Sequence, residues 1–181
     1  MAKPRHSRRT VLALPLLLAA GPALAQPRTR VVTVLGDSIT AGYGLQARSA
    51  LPYQLQLALA KLGVTVQVRA AGVSGDTTAG GLARVDFSVR KDTDLAVVAL
   101  GANDLLQGQD PKRTRANLDG IVRKLKARKI GVVLTGINAP VEVGGGYARD
   151  FNAVFPAVAR AHGVPLYANL LDGVARQPTL N

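Results

Sequence analysis

Three short stretches of the 181-residue chain hold residue types that could do chemistry: "GDSITAGYG" from Gly36, "SGDTTAGGLARV" from Ser74 and "GANDLL" from Gly101. Each follows an apolar run, and Asn138 follows a fourth. Ser38 interrupts a strand-like run at a glycine-flanked turn, where a hydroxyl can act as a nucleophile if a base takes its proton. Taken singly, these residues also have plainer readings: a serine after a strand is commonly a helix N-cap, and an asparagine there a turn former. Asp37 and Asp104 read as acceptors that fix their loops. Ile39 and Thr40 follow the serine, so the stretch is not a Gly-x-Ser-x-Gly elbow. No Gly-Lys-Ser/Thr follows any of these runs, so a phosphate-cradling loop is unsupported. For a base the sequence offers two histidines, His6 and His162.

The elements that must position these residues follow from the apolar pattern. Candidate strands are Val31–Leu35, Val64–Arg69, Leu95–Leu100, Gly131–Gly136 and Val164–Tyr167. The first, third and fourth are continuous apolar runs, as expected of strands covered on both faces, whereas "VTVQVR" alternates and belongs toward a sheet edge. Between them, "LPYQLQLALAKLG" sets Leu51, Leu55, Leu59 and Leu62 on one stripe and stops at Gly63. "TTAGGLARV" starts from threonines and is weakened by Gly80 and Gly81. Asp110-Pro111 opens a helix whose stripe is Leu118, Ile121, Val122 and Leu125. A last helix is expected from about Tyr147 to His162, kinked at Pro156. Strand–helix alternation with short connections predicts right-handed crossovers and a three-layer α/β/α domain: a parallel sheet of about five strands in flavodoxin-like order. In such sheets, sites form beyond the carboxyl ends of the strands, where the polar stretches fall.

Taken together and in this order, "GDSITAGYG", "SGDTTAGGLARV" and "GANDLL" resemble the first three sequence blocks of the SGNH, or GDSL-type, hydrolases. The likeness is closest to the periplasmic group of acyl-CoA thioesterase, lysophospholipase and arylesterase enzymes, and it runs from about Arg30 to Asn181. One departure is Ala70, where close relatives commonly have an asparagine. The resemblance implies an SGNH hydrolase fold and a serine esterase or thioesterase that cleaves small-molecule acyl esters or thioesters through an acyl-serine intermediate. By it Ser38 is the nucleophile, and the oxyanion hole combines the Ser38 N–H, the Gly75 N–H and the Asn103 amide. Gly75 would then be glycine so that its backbone can approach the reacting carbonyl. No metal and no organic cofactor is implied.

In that family the acid and base come from an Asp-x-x-His block near the C-terminus. Here residue 159, three before His162, is alanine, and His162 reads as a structural helix-end residue before Gly163. Asp172 reads as a turn residue before Gly173. "LLDGVARQPTLN" is the kind of segment that in the family leads into the block. The expectation is therefore a C-terminally truncated domain over residues 26–181, with the catalytic Asp and His and the last helix missing. The alternative is an inactive family member serving as an acyl- or lipid-binding domain.

Residues 1–25 read as an export signal. A basic segment with Lys3, Arg5, Arg8 and Arg9 precedes an apolar run that ends in Ala23-Leu24-Ala25. "SRRTVL" resembles a twin-arginine signal, and an ordinary Sec signal is the other reading. Either route predicts a periplasmic or secreted protein and removes His6 from any site. Cleavage lowers the formal net charge from +12 to +8, a balance that favours transient contact with an anionic membrane surface. With no tryptophan and 4% aromatic residues, the chain has few of the stacking side chains a nucleic-acid module adds to its basic face, which disfavours a nucleic-acid partner. With no cysteine, disulfides, thiol chemistry and thiolate metal sites are excluded. The glycines of "VEVGGGYARD" form either an acyl-binding lip or a solvent loop.

Overall fold

The computed structural model describes residues 28–175 and residue 177; the expected export signal lies outside them. Five strands, β1 (Arg30–Gly36), β2 (Val66–Gly72), β3 (Leu95–Ala99), β4 (Gly131–Thr135) and β5 (Leu166–Tyr167), pair in parallel in the order β2-β1-β3-β4-β5. This is the flavodoxin-like order expected from the sequence, with the alternating strand β2 at the edge. The helices are α1 (Ser38–Ala41), α2 (Leu51–Lys61), α3 (Thr78–Ser88), α4 (Ala102–Leu106), α5 (Pro111–Ala127), α6 (Gly145–Asn152) and α7 (Val154–His162).

Right-handed crossovers decide which face each helix covers. The steps from β2 over β1 to β3, then to β4 and to β5, all run the same way, so α3, α5 and α7 pack side by side on one face. Their core is continuous with Leu35, Val98 and Leu134 of the strands, and the predicted α5 stripe of Leu118, Ile121, Val122 and Leu125 is fully buried. Burial of each such side chain contributes about 1.5–3 kcal/mol. The step from β1 to β2 runs the other way and puts α2 on the opposite face, beside β2. Residues of opposite parity, Leu95, Val97 and Val133, point toward that second face and are only half-buried.

Strand β2 runs on to Gly72 rather than Arg69, β1, β3 and β4 differ by one residue at their ends, and two further differences share a cause. Strand β2 begins at Val66 rather than Val64, and β5 at Leu166 rather than Val164. In both cases the preceding helix ends with a left-handed glycine, Gly63 or Gly163. The next N–H then bonds back into the helix, Val64 to the Leu59 carbonyl and Val164 to that of Ala159. This Schellman closure consumes two residues before the strand can start. The predicted kinked helix is two helices, divided at Ala153. Pro156 lies in the first turn of α7, where its missing N–H needs no partner, and its ring bars a continuous helix through the residue 152 carbonyl. Gly145 and Gly146 belong to the first turn of α6, not to a loop.

Candidate active site

The strand register brings the three polar stretches to one edge. Gly36 pairs with Gly72 on one side and Ala99 on the other, so β2, β1 and β3 end level. Ser38, Gly75 and Asn103 follow those ends by two, three and four residues. Ser38 opens α1 and is half-buried. Gly72 lets α1 sit low over the strand ends, because a Cβ there would lie 2.4 Å from the Ala41 nitrogen and 2.7 Å from the Asp37 carbonyl oxygen.

Asp37 is the N-cap of α1, its carboxylate accepting from the Ile39 N–H at 3.0 Å. Burial pushes its carboxyl above the ordinary value, the Ile39 bond opposes this, and Asp76 and Asp104 add to the upward push. Asp104 lies buried in α4 and accepts from the Thr78 N–H at 2.8 Å, the Thr78 hydroxyl at 2.5 Å and the Thr114 hydroxyl at 3.1 Å. It thereby joins the starts of α3 and α5 to α4, and the Asn117 amide donates to the same Thr78 oxygen at 3.1 Å.

Gly75 has φ +82°, the left-handed region that favours glycine. A Cβ there would meet no atom within 4 Å, so backbone conformation is the constraint visible at this position, where the sequence reading invoked close approach. Asn103 is half-buried, and its Nδ2 donates to the Asp76 carbonyl at 2.8 Å, beside Gly75. One amide hydrogen thus fixes the side chain against the second loop and leaves the other for a further acceptor. Asn138, after β4, is exposed.

Arg84, in α3, ties the loops together. Its Nε donates to Asp76 Oδ2 at 2.6 Å, Nη1 to the Ala71 carbonyl at 2.9 Å and the Ser88 hydroxyl at 3.1 Å, and Nη2 to the Gly36 carbonyl at 2.8 Å. Sequence reasoning gives no reason to single it out, since one arginine on a helix reads as a solvated face. His162 lies elsewhere. It ends α7, which delivers the chain to the amino end of β5, and its Nε2 is 2.7 Å from Asp119 Oδ1 of α5. Ser38 stands at the opposite, carboxyl edge. Among the described residues no cluster of His, Cys, Asp and Glu could hold a metal ion.

A parallel 2-1-3-4-5 sheet with three polar loops at its carboxyl edge makes a three-layer α/β/α scaffold, and solved structures of SGNH-hydrolase esterases share it. The SGNH-hydrolase esterase AlinE4 superposes with a TM-score of 0.82 at 41% identity, covering 87% of this chain and 85% of that one. A crystal structure of TesA does so with a TM-score of 0.77 at 36% identity, over 82% and 83% of the two chains. In sequence, the Esterase TesA of Pseudomonas aeruginosa is 37% identical over 162 residues, 89% of this chain and 79% of that protein. The Arylesterase of Vibrio mimicus is 34% identical over 166 residues, 91% and 83% of the two. The GDSL-like Lipase/Acylhydrolase family matches residues 34–180. The chain belongs to that family, and by family it is a carboxylic ester hydrolase.

Proposed function

We propose that the chain is a serine esterase or thioesterase acting on small acyl esters, with Ser38 as nucleophile and the Ser38 N–H, the Gly75 N–H and the second Asn103 amide hydrogen as the oxyanion hole. The observation that carries this reading is the Asn103–Asp76 hydrogen bond. It fixes an amide donor beside the Gly75 loop, at the strand edge where Ser38 begins α1. The names of relatives, an esterase and an arylesterase, support an ester substrate. In the reaction the Ser38 Oγ electron pair forms a bond to the acyl carbon while the carbonyl π pair moves onto oxygen, within reach of the three donors. Collapse expels the alkoxide or thiolate and leaves the acyl-serine, which water hydrolyses. Donors preset for the oxyanion stabilise charge present only in the transition state, each worth about 3–4 kcal/mol.

Solvent water takes the Ser38 proton and returns one to the leaving alkoxide or thiolate, since His162 is held by Asp119 at the amino edge. With water as the acceptor, the polypeptide from Met1 to Asn181 is expected to hydrolyse nitrophenyl acetate through Ser38 slowly, far below the rate of a serine hydrolase whose base is in place. Ser38→Ala should remove that residual rate and Asn103→Ala should lower it by about 10²-fold or more. Full residual activity in Ser38→Ala would overturn the assignment. The position of His162 favours a second reading, an acyl-binding domain without turnover, for which a fatty-acyl ester would bind and persist unhydrolysed. Residues 1–25 support export to the periplasm or beyond, and the cleaved chain's charge of +8 supports transient contact with anionic membrane. Mass spectrometry of exported protein should find an N-terminus at or near Gln26, and an intact Met1 would refute cleavage.

A further inference from the structure

We propose that Arg84 is a positioning residue for the oxyanion hole, acting through Asp76 on Asn103. The inference rests on the reading of Ser38, Gly75 and Asn103 given above. The guanidinium bonds the ends of β1 and β2 and the loop that carries Gly75, and it reaches Asn103 through Asp76. It holds the carbonyl of Gly36, two residues before Ser38, and the carbonyl of Ala71 in the edge strand. Through Nε it grips the carboxylate of Asp76, the residue after Gly75, whose own carbonyl receives the Asn103 amide. Three directed donors from one planar group fix these atoms relative to one another in a way a single ammonium cannot. The pair is largely shielded, with 19% of the Arg84 side chain and 10% of the Asp76 side chain exposed, so solvent does little to weaken it.

The sequence around the pair is arranged to admit it. Gly80 lies within α3, where glycine is unfavourable, yet a Cβ there would fall 1.8 Å from Asp76 Oδ1. The helix gives up propensity at the point where the carboxylate must pass. A misplacement of reacting groups by about 1 Å can cost on the order of 10²-fold in rate. Loss of the Arg84 fan is expected to act at that level on turnover and little on ground-state binding.

The test uses the 181-residue chain with Arg84→Lys and Asp76→Asn, each alone and combined with Asn103→Ala. Ser38-dependent hydrolysis of nitrophenyl acetate is measured together with thermal unfolding. Phenylboronic acid supplies a second readout: its boron accepts a Ser38 Oγ electron pair, and the hydroxyl proton leaves to solvent. The expected result is a fall in kcat of about 10-fold or more, with KM within about twofold and weaker boronate binding, in each single variant. In the Asn103→Ala background the same changes should cost less than about twofold, because the group they position is gone. Equal losses in both backgrounds would make Arg84 a support of the fold alone and overturn the proposal, as would unchanged kcat in both single variants. Should Arg84→Lys fail to fold, Asp76→Asn, which keeps the backbone carbonyl, decides by the same criterion. If the unsubstituted chain neither turns over ester through Ser38 nor binds the boronate, the reading of Ser38 fails first and Arg84's role falls with it.

Discussion

Asp37 stands next to Ser38 and carries a tension that pH can expose. Its carboxyl is buried, which raises its pKa above the ordinary 3.8, while the Ile39 N–H favours the charged form. The folded protein therefore holds this proton more tightly than the unfolded chain does. The resulting stability is complete below pH 3.8 and is lost as pH rises through the folded-state value. An asparagine side chain caps a helix as well as an aspartate does and cannot ionise. Asp37→Asn is thus expected to flatten the fall in melting temperature above pH 3.8 and to melt no lower than the parent at about pH 7. Thermal unfolding across the acid-to-neutral range checks this, and an unchanged pH profile would show that Asp37 is not the titrating group. Ser38 and Asn103 are legible as candidates because their stretches follow strands. Arg84 is not, because its partners are a carboxylate eight residues away and carbonyls 13 and 48 residues away.

At the scale of elements, α3 shows how local preference yields to tertiary contact. Helix propensity alone predicts that Gly80→Ala gains about 1 kcal/mol. The structure predicts the reverse. The new methyl would displace Asp76, a short side chain pinned by Arg84, and weaken a charge-assisted bond worth about 1.5–3 kcal/mol. Urea denaturation should show Gly80→Ala less stable than the parent, and its ester turnover should fall with that of Asp76→Asn. A gain in stability would mean that Asp76 moves aside freely. Gly81 has a comparable reason, since a Cβ there would lie 2.2 Å from Leu100 Cδ1. Both glycines read from sequence as a weakness in the helix. In the fold they are where the helix meets the site and the core.

At the scale of the whole molecule, the two sheet faces are unequal among the described residues. Helices α3, α5 and α7 seal one, while on the other α2 stands beside β2 and leaves Leu95, Val97 and Val133 half-buried. Apolar surface left wet forgoes ~25 cal/mol per Å². Joining a family-type Asp-x-x-His segment and terminal helix after Asn181 is therefore expected to raise the melting temperature and to raise ester turnover by about 10³-fold or more, with Ser38→Ala abolishing the gain. Calorimetry and nitrophenyl ester kinetics on the two polypeptides measure this. Ordinary enzyme rates from the shorter one, lost on His162→Ala, would instead assign His162 a role in catalysis.

The sequence by itself determined the class of fold, because continuous apolar strands alternating with striped helices leave few right-handed topologies that bury every face. It also determined which loops could hold chemistry, since Gly-Asp-Ser, Ser-Gly-Asp and Gly-Ala-Asn-Asp each follow a strand. Only the tertiary structure decided how those loops are fastened. The level strand ends, the clearance at Gly72 and Gly80, and the grip of Arg84 on Gly36, Ala71 and Asp76 arise between residues far apart in the chain. The placement of His162 was decided in the same way. The sequence read it as a structural helix-end residue, with Ala159 where the family's acid would stand, and the crossover that delivers α7 to the amino end of β5 puts it beside Asp119, across the sheet from Ser38. Periodicity records which face of an element is buried, but it carries no information about which distant polar groups meet when the faces close.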